Sequence, residues 1–208
     1  MISVVKYKEF DIKKLSIENV DLKKNLNKSK PYKFISLQYD QKPFYLETPI
    51  LHSPFGVNNF EGSDKYSISF NLVEDMGSII LDIEDKIINH VYENQMKYFS
   101  RSNFKLENLK ELFNSSIKEN KNKNYSNLFK CQIDLSETDL YDKSTGVLME
   151  ITKENTLNTK IQSIIRIPGF YLMNKMYGVC FKMDQMLLEK QNHKSNEKFY
   201  LFTDDKDE

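Results

Sequence analysis

Aromatic and basic side chains stand beside each other at several places in the second half of the sequence. This pairing is the chemistry that an unpaired nucleic-acid strand requires. An aromatic face stacks on an unstacked base and contributes about 1–3 kcal/mol per base. A neighbouring lysine or arginine neutralises the phosphate backbone. The residues that we assign to this role are Arg101, Lys105, Lys130, Arg166, Phe170, Tyr171, Lys175, Tyr177 and Lys182.

The same residue types fit a second interpretation, in which the aromatic rings belong to a hydrophobic core. Alternation along a strand places a lysine opposite an inward-facing aromatic residue without any function. Phe181 and Lys182 show this pattern, with Lys182 facing away from the core. Phe170 and Tyr171 follow Gly169 in a segment predicted as a turn, where core packing is less demanding. We therefore favour these two rings as contacts.

The segment LETPILHSPFGVNNFEGSDKYSISFNL (46–72) concentrates turn-forming residues between two alternating stretches. Proline fixes the backbone φ angle, and rigid walls reduce the entropy that binding removes. We therefore expect the turn residues of this region to hold Phe44 and Phe55 as rigid walls of a binding groove. Closure of a β-barrel, or protection of an edge strand, explains the same prolines equally well. The turn residues are Pro43, Pro49, Pro54 and Gly56.

Motifs of the common metal and nucleotide sites are absent from the sequence. The histidines His52, His90 and His193 lie far apart and lack the i, i+4 spacing of a zinc-binding helix. No glycine-rich phosphate loop and no nucleophile elbow occurs. Cys131 and Cys180 lack CxxC spacing and are predicted to be buried thiols in a reducing compartment. The sequence therefore predicts no cofactor, no metal and no catalytic residue.

Four acidic residues leave one enzymatic alternative open. Asp134, Glu137 and Asp139 lie near a predicted strand end and Glu150 on the next strand, so they could assemble a magnesium site for phosphodiester cleavage. The stretch SETDLYD is also typical of a hairpin tip in which Asp and Ser stabilise the turn. We favour the hairpin tip.

Length and charge predict one soluble domain of ordinary size. The chain has 208 residues, with 30 basic and 30 acidic side chains. No apolar run is long enough to span a membrane, and the N-terminus lacks the pattern of a secretory leader. Because Arg101 and Arg166 are the only arginines, phosphate contacts are expected mainly from lysine. The acidic C-terminal residues, which we assign to partner binding, are Asp204, Asp205, Asp207 and Glu208.

Hydrophobic periodicity predicts the secondary structure. Period-two alternation predicts a hairpin over 32–52 and, most clearly, a strand over 65–73. Helical spacing of isoleucine and valine predicts a long helix over 78–99, followed by a shorter helix over 104–117. Further strands are predicted at LFKCQIDL (128–135), GVLMEIT (146–152), KIQSIIRI (160–167) and YGVCFKMDQMLL (177–188), with YDKSTG and IPGF as turns.

Strands interrupted by one helical excursion fit a mainly β fold better than an alternating βαβ sheet. We predict an OB-type closed β-barrel with one main inserted helix and a short acidic C-terminal tail. The expected division is an N-terminal arm or edge strand over 1–30, the barrel over 31–190 and a flexible tail over 191–208.

The stretch LQYDQKPFYLETPILHSPFGVNNFEGSDKYSISFNL (37–72) resembles the giant-virus (nucleocytoplasmic large DNA virus) homologues of the T-seven-type phage single-stranded DNA-binding protein. Their pattern is a strand, a Y-x-G-K-P-L turn, Q-T-P, a P-F-G element and a strand like Y-S-L-D-L-S; Glu47 stands where glutamine is usual. The matching residues are Tyr39, Lys42, Pro43, Thr48, Pro49, Pro54, Phe55, Gly56 and 66–72.

The second half of the chain carries the resemblance further, so that it covers about residues 32–188. Gly178, Lys182 and Gln185 match a closing G-x-x-W-K-x-x-Q pattern, with Phe181 in place of the tryptophan. The resemblance implies an OB fold elaborated by a helix, sequence-independent binding of single-stranded DNA, and a homodimer. It also implies that Phe170 and Tyr171 lie in the DNA-binding segment and that the acidic tail contacts a viral DNA polymerase or other replication proteins.

The function expected from these observations is non-enzymatic binding of single-stranded DNA in viral replication, recombination or repair. The expected location is the viral replication factory in the host cytoplasm, with the virion as a second location, and no membrane partner is expected. The alternatives are the metal-dependent nuclease and a β-rich structural or virion assembly protein without affinity for DNA.

Overall fold

The computed structural model describes residues 3–18, 33–59, 65–100, 102–173 and 176–189. These residues form a mainly β structure with a few helices. The predicted tail over 191–208, residues 19–30 of the predicted arm, Arg101 and Lys175 lie outside the described residues. None of the described helices combines the length and the apolar character that crossing a membrane requires.

The secondary-structure elements alternate in the order that the sequence predicts: strands, then helices, then strands. The strands are β1 (Val4–Lys6), β2 (Leu15–Ile17), β3 (Lys33–Tyr39), β4 (Lys42–Pro43), β5 (Tyr45–Glu47), β6 (Leu51–Ser53), β7 (Val57–Asn59), β8 (Tyr66–Asn71), β9 (Ile117–Lys118), β10 (Leu128–Ile133), β11 (Asp139–Asp142), β12 (Leu148–Met149), β13 (Thr159–Met173) and β14 (Met176–Glu189). The helices are α1 (Glu74–Glu93), α2 (Gln95–Phe99), α3 (Leu106–Leu112) and α4 (Lys153–Thr156), and single 3₁₀ turns span Tyr7–Glu9 and Ile12–Lys14.

The antiparallel hairpin of β13 and β14 is the centre of the sheet. Strands β6, β5 and β3 pair in turn along the outer edge of β13. On the other side, β10 and β11 run parallel to β14, and β8 and then β7 continue the sheet beyond β10. The principal strand order is therefore β1-β5-β13-β14-β10-β8-β7. Nearly every described strand is positioned, directly or through one neighbour, by the central hairpin.

The backbone ladder does not close on itself among the described residues, so the predicted closed barrel is not confirmed. Strands β6 and β8 lie next to each other at the open seam. Side chains join them there instead of a backbone ladder, since Asn71 Nδ2 lies 3.1 Å from His52 Nδ1. The other ring nitrogen of His52 lies 2.8 Å from Oδ1 of Asn158.

Buried and accessible residues alternate along the strands, as expected for a sheet with one face against the core. On β8, Ile68 and Phe70 are buried while Ser67 and Ser69 face outward, as the sequence predicts. Cys131 is buried in the same way on β10. Both described cysteines are free thiols, and burial raises the pKa of Cys180 to about 11.

The long helix α1 packs against the sheet through a stripe of residues at helical spacing. Ile80, Ile83, Ile87 and Val91 are fully buried, which confirms the apolar face of the predicted helix, although the interval 78–99 is divided between α1 and α2 at Asn94. Glu84 is buried within the same stretch, although it is acidic. Burial of a charged group is unfavourable unless it is hydrogen-bonded, and the partners of Glu84 are described below.

The second predicted helix is shorter than the interval 104–117. The helix α3 ends at Leu112, because the chain then leaves the helical path to pair with β14. The backbone N–H of Asn114 donates to the carbonyl oxygen of Tyr177 at 2.7 Å, and β9 follows beside β10.

The segment IPGF (167–170) is not a turn, because β13 continues through it. Pairing with β14 shifts by one residue between Arg166 and Gly169, which is the signature of a β-bulge. The extra residue reverses the side-chain phase, so that Phe170 points into the core and Tyr171 points outward. Gly169 permits this path because a Cβ there would lie only 2.0 Å from the carbonyl oxygen of Ile35 on β3.

Substitution of Gly169 by alanine should destabilise the protein by at least about 2 kcal/mol, because the new methyl group would force β3 away from β13. The measurement is urea denaturation followed by circular dichroism. Gly77→Ala is the matched control, since the nearest atom to a Cβ at this helical position is a Leu72 side-chain carbon at 3.4 Å. Alanine favours a helix interior by up to about 1 kcal/mol, so the control should be neutral or stabilising. An unchanged midpoint of urea denaturation for Gly169→Ala would show that β3 does not pass so close to Gly169.

Candidate nucleic-acid interface

Side chains at corresponding positions of five neighbouring strands form a continuous row on the face of the sheet that points away from the core. Arg166 on β13 pairs with Tyr45 on β5 and with Lys182 on β14. Gln132 on β10 pairs with Lys182 and with Ser67 on β8. Gln132 is exposed and the other members are half-buried. We call these five residues the transverse row; at about 4.8 Å between strands it is roughly 19 Å long.

Lys130 extends the basic character of the transverse row along β10. Its side chain is exposed, and its backbone pairs with Ser69. Because the residue between Lys130 and Gln132 is buried, both side chains point to the same outward face. The structure thus brings together Lys130, Arg166 and Lys182 from the residues singled out in the sequence. Tyr45 and Gln132 were missed, although their positions in alternating stretches could have indicated them.

Acidic side chains border the transverse row where β10 turns towards β11. Arg166 donates to Glu137 Oε2 at 3.0 Å, and both side chains of this ion pair are accessible to solvent. Burial raises the pKa of the Asp184 carboxyl, and the positive charge of Arg166 acts in the opposite direction. Exposed ion pairs contribute little to stability. Separation of Arg166 from Glu137 is therefore expected to change the stability of the fold only slightly.

Two aromatic rings lie on neighbouring strands of the same outward face, each across a glycine. Phe34 on β3 pairs with Tyr171 on β13. A Cβ at Gly169 would lie 2.9 Å from Cε1 of Phe34, and a Cβ at Gly178 would lie 3.1 Å from the hydroxyl oxygen of Tyr171. The rings therefore occupy the space that the glycines leave open, and both remain half-accessible. We call Phe34 and Tyr171 the aromatic platform.

Tyr171 is held in place by the segment 113–118, which we call the edge segment. Asn114 Nδ2 donates to the Tyr171 hydroxyl at 2.9 Å, and Lys118 Nζ donates to Asn114 Oδ1 at 3.1 Å. The Tyr171 hydroxyl accepts this bond, so its proton is free to donate to a further acceptor. Phe34 was not singled out in the sequence, although it alternates with Ser36 on a polar face. The sequence signal that could have identified Phe34 is an aromatic residue at a position of the strand where polar residues are expected.

Three of the aromatic residues assigned to DNA contact belong to the core instead. Phe44 stacks on Tyr39 with ring centroids 5.0 Å apart. Phe170 meets the edge of Tyr98 at 6.0 Å. Tyr177 donates from its hydroxyl to the carbonyl oxygen of Leu109 at 2.9 Å, and burial raises its pKa. These rings expose no face to a base, because packing in the core stabilises them more than solvent contact would.

Phe55 lies in an exposed position beyond the β8 end of the transverse row, next to β7. Asn58 Nδ2 donates to the carbonyl oxygen of Phe55 at 3.2 Å, and Asn58 pairs with Ser67. Gly56 has φ of 64°, and a Cβ there would lie 2.8 Å from the carbonyl oxygen of Lys153. Gly56 therefore fixes the loop against α4, while the neighbouring Phe55 ring is 52% exposed. Phe55 stays a candidate contact.

Lys105 is exposed at the start of α3, outside the transverse row and the aromatic platform. The remaining predicted contacts, Arg101 and Lys175, lie outside the described residues, as do the acidic residues assigned to partner binding: Asp204, Asp205, Asp207 and Glu208.

Asp134 and Asp139, two of the four acidic residues of the nuclease alternative, are engaged in turn and strand contacts. Asp134 accepts bonds from the backbone and hydroxyl of Ser136, which lower the pKa of its carboxyl. Asp139 accepts from the hydroxyl of Tyr141 at 3.1 Å. Within the described part of the chain, no group of three or more His, Cys, Asp or Glu side chains is arranged to hold a metal ion. SETDLYD is a stabilised turn followed by β11 and not the predicted hairpin tip, because β10 and β11 each run parallel to β14 instead of pairing with each other.

Comparison with known proteins found similar solved structures of bacteriophage proteins. The crystal structure of gp2.5, a single-stranded DNA-binding protein encoded by bacteriophage T7, matches with a TM-score of 0.49 and 10% identity, over 70% of this chain and 91% of that chain. The single-stranded DNA-binding protein from bacteriophage Enc34 matches with a TM-score of 0.45 and 16% identity, over 92% and 98% of the two chains.

A structure of the Enc34 protein in complex with single-stranded DNA matches with a TM-score of 0.41 and 14% identity, over 86% of this chain and 97% of that chain. No protein-family model and no curated protein matches the sequence. The giant-virus origin that the sequence resemblance implies stays a prediction.

Proposed function

We propose that this protein binds single-stranded DNA without sequence preference through the outward face that carries the transverse row and the aromatic platform. The observation that carries the proposal is their juxtaposition on β13 and β14, where Arg166 and Tyr171 lie on one strand and Lys182 pairs with Arg166 on the next. Basic groups supply the phosphate contacts and accessible rings supply stacking surfaces, which together suit an unpaired strand.

The arrangement favours a single strand over a duplex for a geometric reason. Ring atoms of Phe34 and Tyr171 lie close to Gly169 and Gly178, and both half-accessible rings offer stacking surfaces beside the sheet. Paired and stacked bases in a duplex cannot lie on such surfaces, whereas unstacked bases can. Lys130 and Lys182 contact phosphates as point charges, without reading base identity.

The finer parts of the proposal rest on the sequence resemblance. They are an OB-type barrel, a homodimer, and a role in viral DNA replication, recombination or repair in the host cytoplasm, with the virion as a second location. They include recruitment of a viral DNA polymerase or another replication protein by the acidic residues at 204–208. We propose that the protein is not an enzyme; a loss of labelled DNA that requires magnesium would contradict this.

Replacing Lys130, Arg166 and Lys182 together by glutamine should weaken binding to oligo-dT strongly at low salt. Each lost phosphate contact on a single strand should reduce the slope of log K against log salt by about 0.7, so the triple variant should lose about 2 units of slope. The measurement is fluorescence anisotropy across a salt series.

The matched control for this variant replaces three exposed lysines elsewhere, Lys8, Lys13 and Lys123, by glutamine. It makes the same change in net charge, so its slope should stay close to that of the unmodified protein. Equal losses in the two triple variants would show that binding depends on overall charge and not on the transverse row.

Replacing either ring of the aromatic platform, as Phe34→Leu or Tyr171→Leu, should weaken binding by about 1–3 kcal/mol, because one base loses its stacking surface. The salt slope should stay unchanged, since no charge is removed. Tyr125→Leu is the control, because Tyr125 is the most exposed described tyrosine and lies in the loop between β9 and β10. Isothermal titration calorimetry with oligo-dT measures the affinity. Normal affinity in a folded variant that carries both Phe34→Leu and Tyr171→Leu would exclude the aromatic platform as a DNA contact.

A further inference from the structure

The carboxylate of Glu84 is buried in the middle of α1, with only 4% of the residue exposed. Its neighbours along the helix, Ile80, Ile83, Ile87 and Ile88, belong to the core. Both carboxylate oxygens of Glu84 accept hydrogen bonds from two consecutive residues, Ser115 and Ser116. Oε1 accepts from the backbone N–H of Ser116 at 2.8 Å, and Oε2 accepts from the hydroxyl of Ser115 at 2.7 Å.

Ser115 and Ser116 lie in the middle of the edge segment. This segment contacts the proposed DNA-binding face at two places, one on each side of it. On one side, Asn114 bonds the hydroxyl of Tyr171 in the aromatic platform. On the other side, the backbone N–H of Lys130 donates to the carbonyl oxygen of Ser116 at 3.0 Å. Ser116, whose backbone N–H Glu84 fixes, is therefore two residues from the Asn114 that orients Tyr171, and its carbonyl oxygen is bonded directly to the backbone of Lys130.

We propose that Glu84 is a positioning residue of the DNA-binding face, acting from the core through the edge segment. The proposal rests on the proposed function. Glu84 contacts no DNA; it fixes Ser115 and Ser116, and these fix the separation between Tyr171 and Lys130. A stacked base and its phosphate then meet a ring and an ammonium group whose spacing exists before binding, which reduces the ordering that binding requires.

The role depends on the two hydrogen bonds to Ser115 and Ser116 more than on the negative charge. Burial raises the pKa of the Glu84 carboxyl, while the hydrogen bonds from Ser116 and Ser115 act in the opposite direction. An amide of the same shape retains an acceptor for the Ser116 N–H and can donate to the Ser115 hydroxyl oxygen. A leucine of similar volume retains neither, and leaves the Ser116 N–H without its acceptor.

The experiment compares Glu84→Leu with Glu84→Gln. Glu84→Leu should bind oligo-dT about fivefold more weakly, because the platform loses its support. Glu84→Gln should bind within about twofold of the unmodified protein. Removal of an acidic group by itself would strengthen binding to a polyanion, so weaker binding by Glu84→Leu has the sign opposite to a long-range charge effect.

A double-variant comparison separates positioning from general destabilisation. In the Glu84→Leu background, Tyr171→Leu should weaken binding by a factor about fivefold smaller than in the unmodified protein, because that part of the platform's contribution is already lost. If the two changes act independently, each with its full effect, the proposal is overturned. It is equally overturned if folded Glu84→Leu binds like the unmodified protein, or if Glu84→Gln loses as much affinity as Glu84→Leu.

Amide hydrogen exchange without DNA tests the linkage independently of the proposed function. Glu84→Leu should accelerate exchange at the N–H groups of Lys130 and Asn114 about tenfold, while Ile80 in α1 keeps its protection. Unchanged exchange at both sites overturns the linkage. If exchange accelerates but the unmodified protein binds no DNA, the function fails and the positioning role with it.

If Glu84→Leu does not fold by circular dichroism, Ser115→Ala is the second variant. It removes the hydroxyl that donates to Glu84 and that accepts the N–H of Ile117 at 3.0 Å, without changing the core. Ser115→Ala should weaken binding about threefold and accelerate exchange at Asn114. Normal binding and normal exchange in this variant overturn the proposal.

Discussion

The close passage of β3 over Gly169 is the constraint on which the arrangement of the outward face depends. No side chain fits between the two backbones, since a Cβ would lie 2.0 Å from the carbonyl oxygen of Ile35. The bulge that precedes Gly169 reverses the phase of β13, so that Phe170 enters the core and Tyr171 faces outward beside Phe34. Without the extra residue, the inward and outward rings would exchange places. The bulge thus determines which aromatic ring can meet a base.

The sequence was sufficient to predict elements whose periodicity is long and regular. The spacing of Ile80, Ile83, Ile87 and Val91 predicted α1, and simple alternation placed Lys182 on the outward face. Both depend only on local geometry, in which each residue's direction follows from that of its neighbours. The mainly β character and the burial of both cysteines follow from the same kind of local pattern.

Features that depend on contacts between distant segments could not be predicted in the same way. IPGF resembles a turn because proline and glycine favour turns, but pairing with β3 and β14 keeps the segment extended. The predicted turn led to the choice of Phe170 as a contact, and alternation along the chain could not reveal that a bulge turns this ring into the core. Tyr45 and Arg166 are adjacent only because β5 pairs with β13, more than a hundred residues later in the sequence. Phe34 was recognisable as an aromatic residue on a polar face but was missed, whereas Tyr171 was chosen because of a predicted turn that does not form.

The measurement that tests the central claim most directly is fluorescence anisotropy of a labelled oligo-dT, with a matched duplex in parallel, across a salt series with EDTA or magnesium. The account predicts salt-sensitive binding that favours the single strand and leaves it intact under both conditions. Equal affinity for the duplex would contradict the role of the aromatic platform. Absence of binding at low salt would contradict the function itself, and would favour a structural or assembly role for this fold.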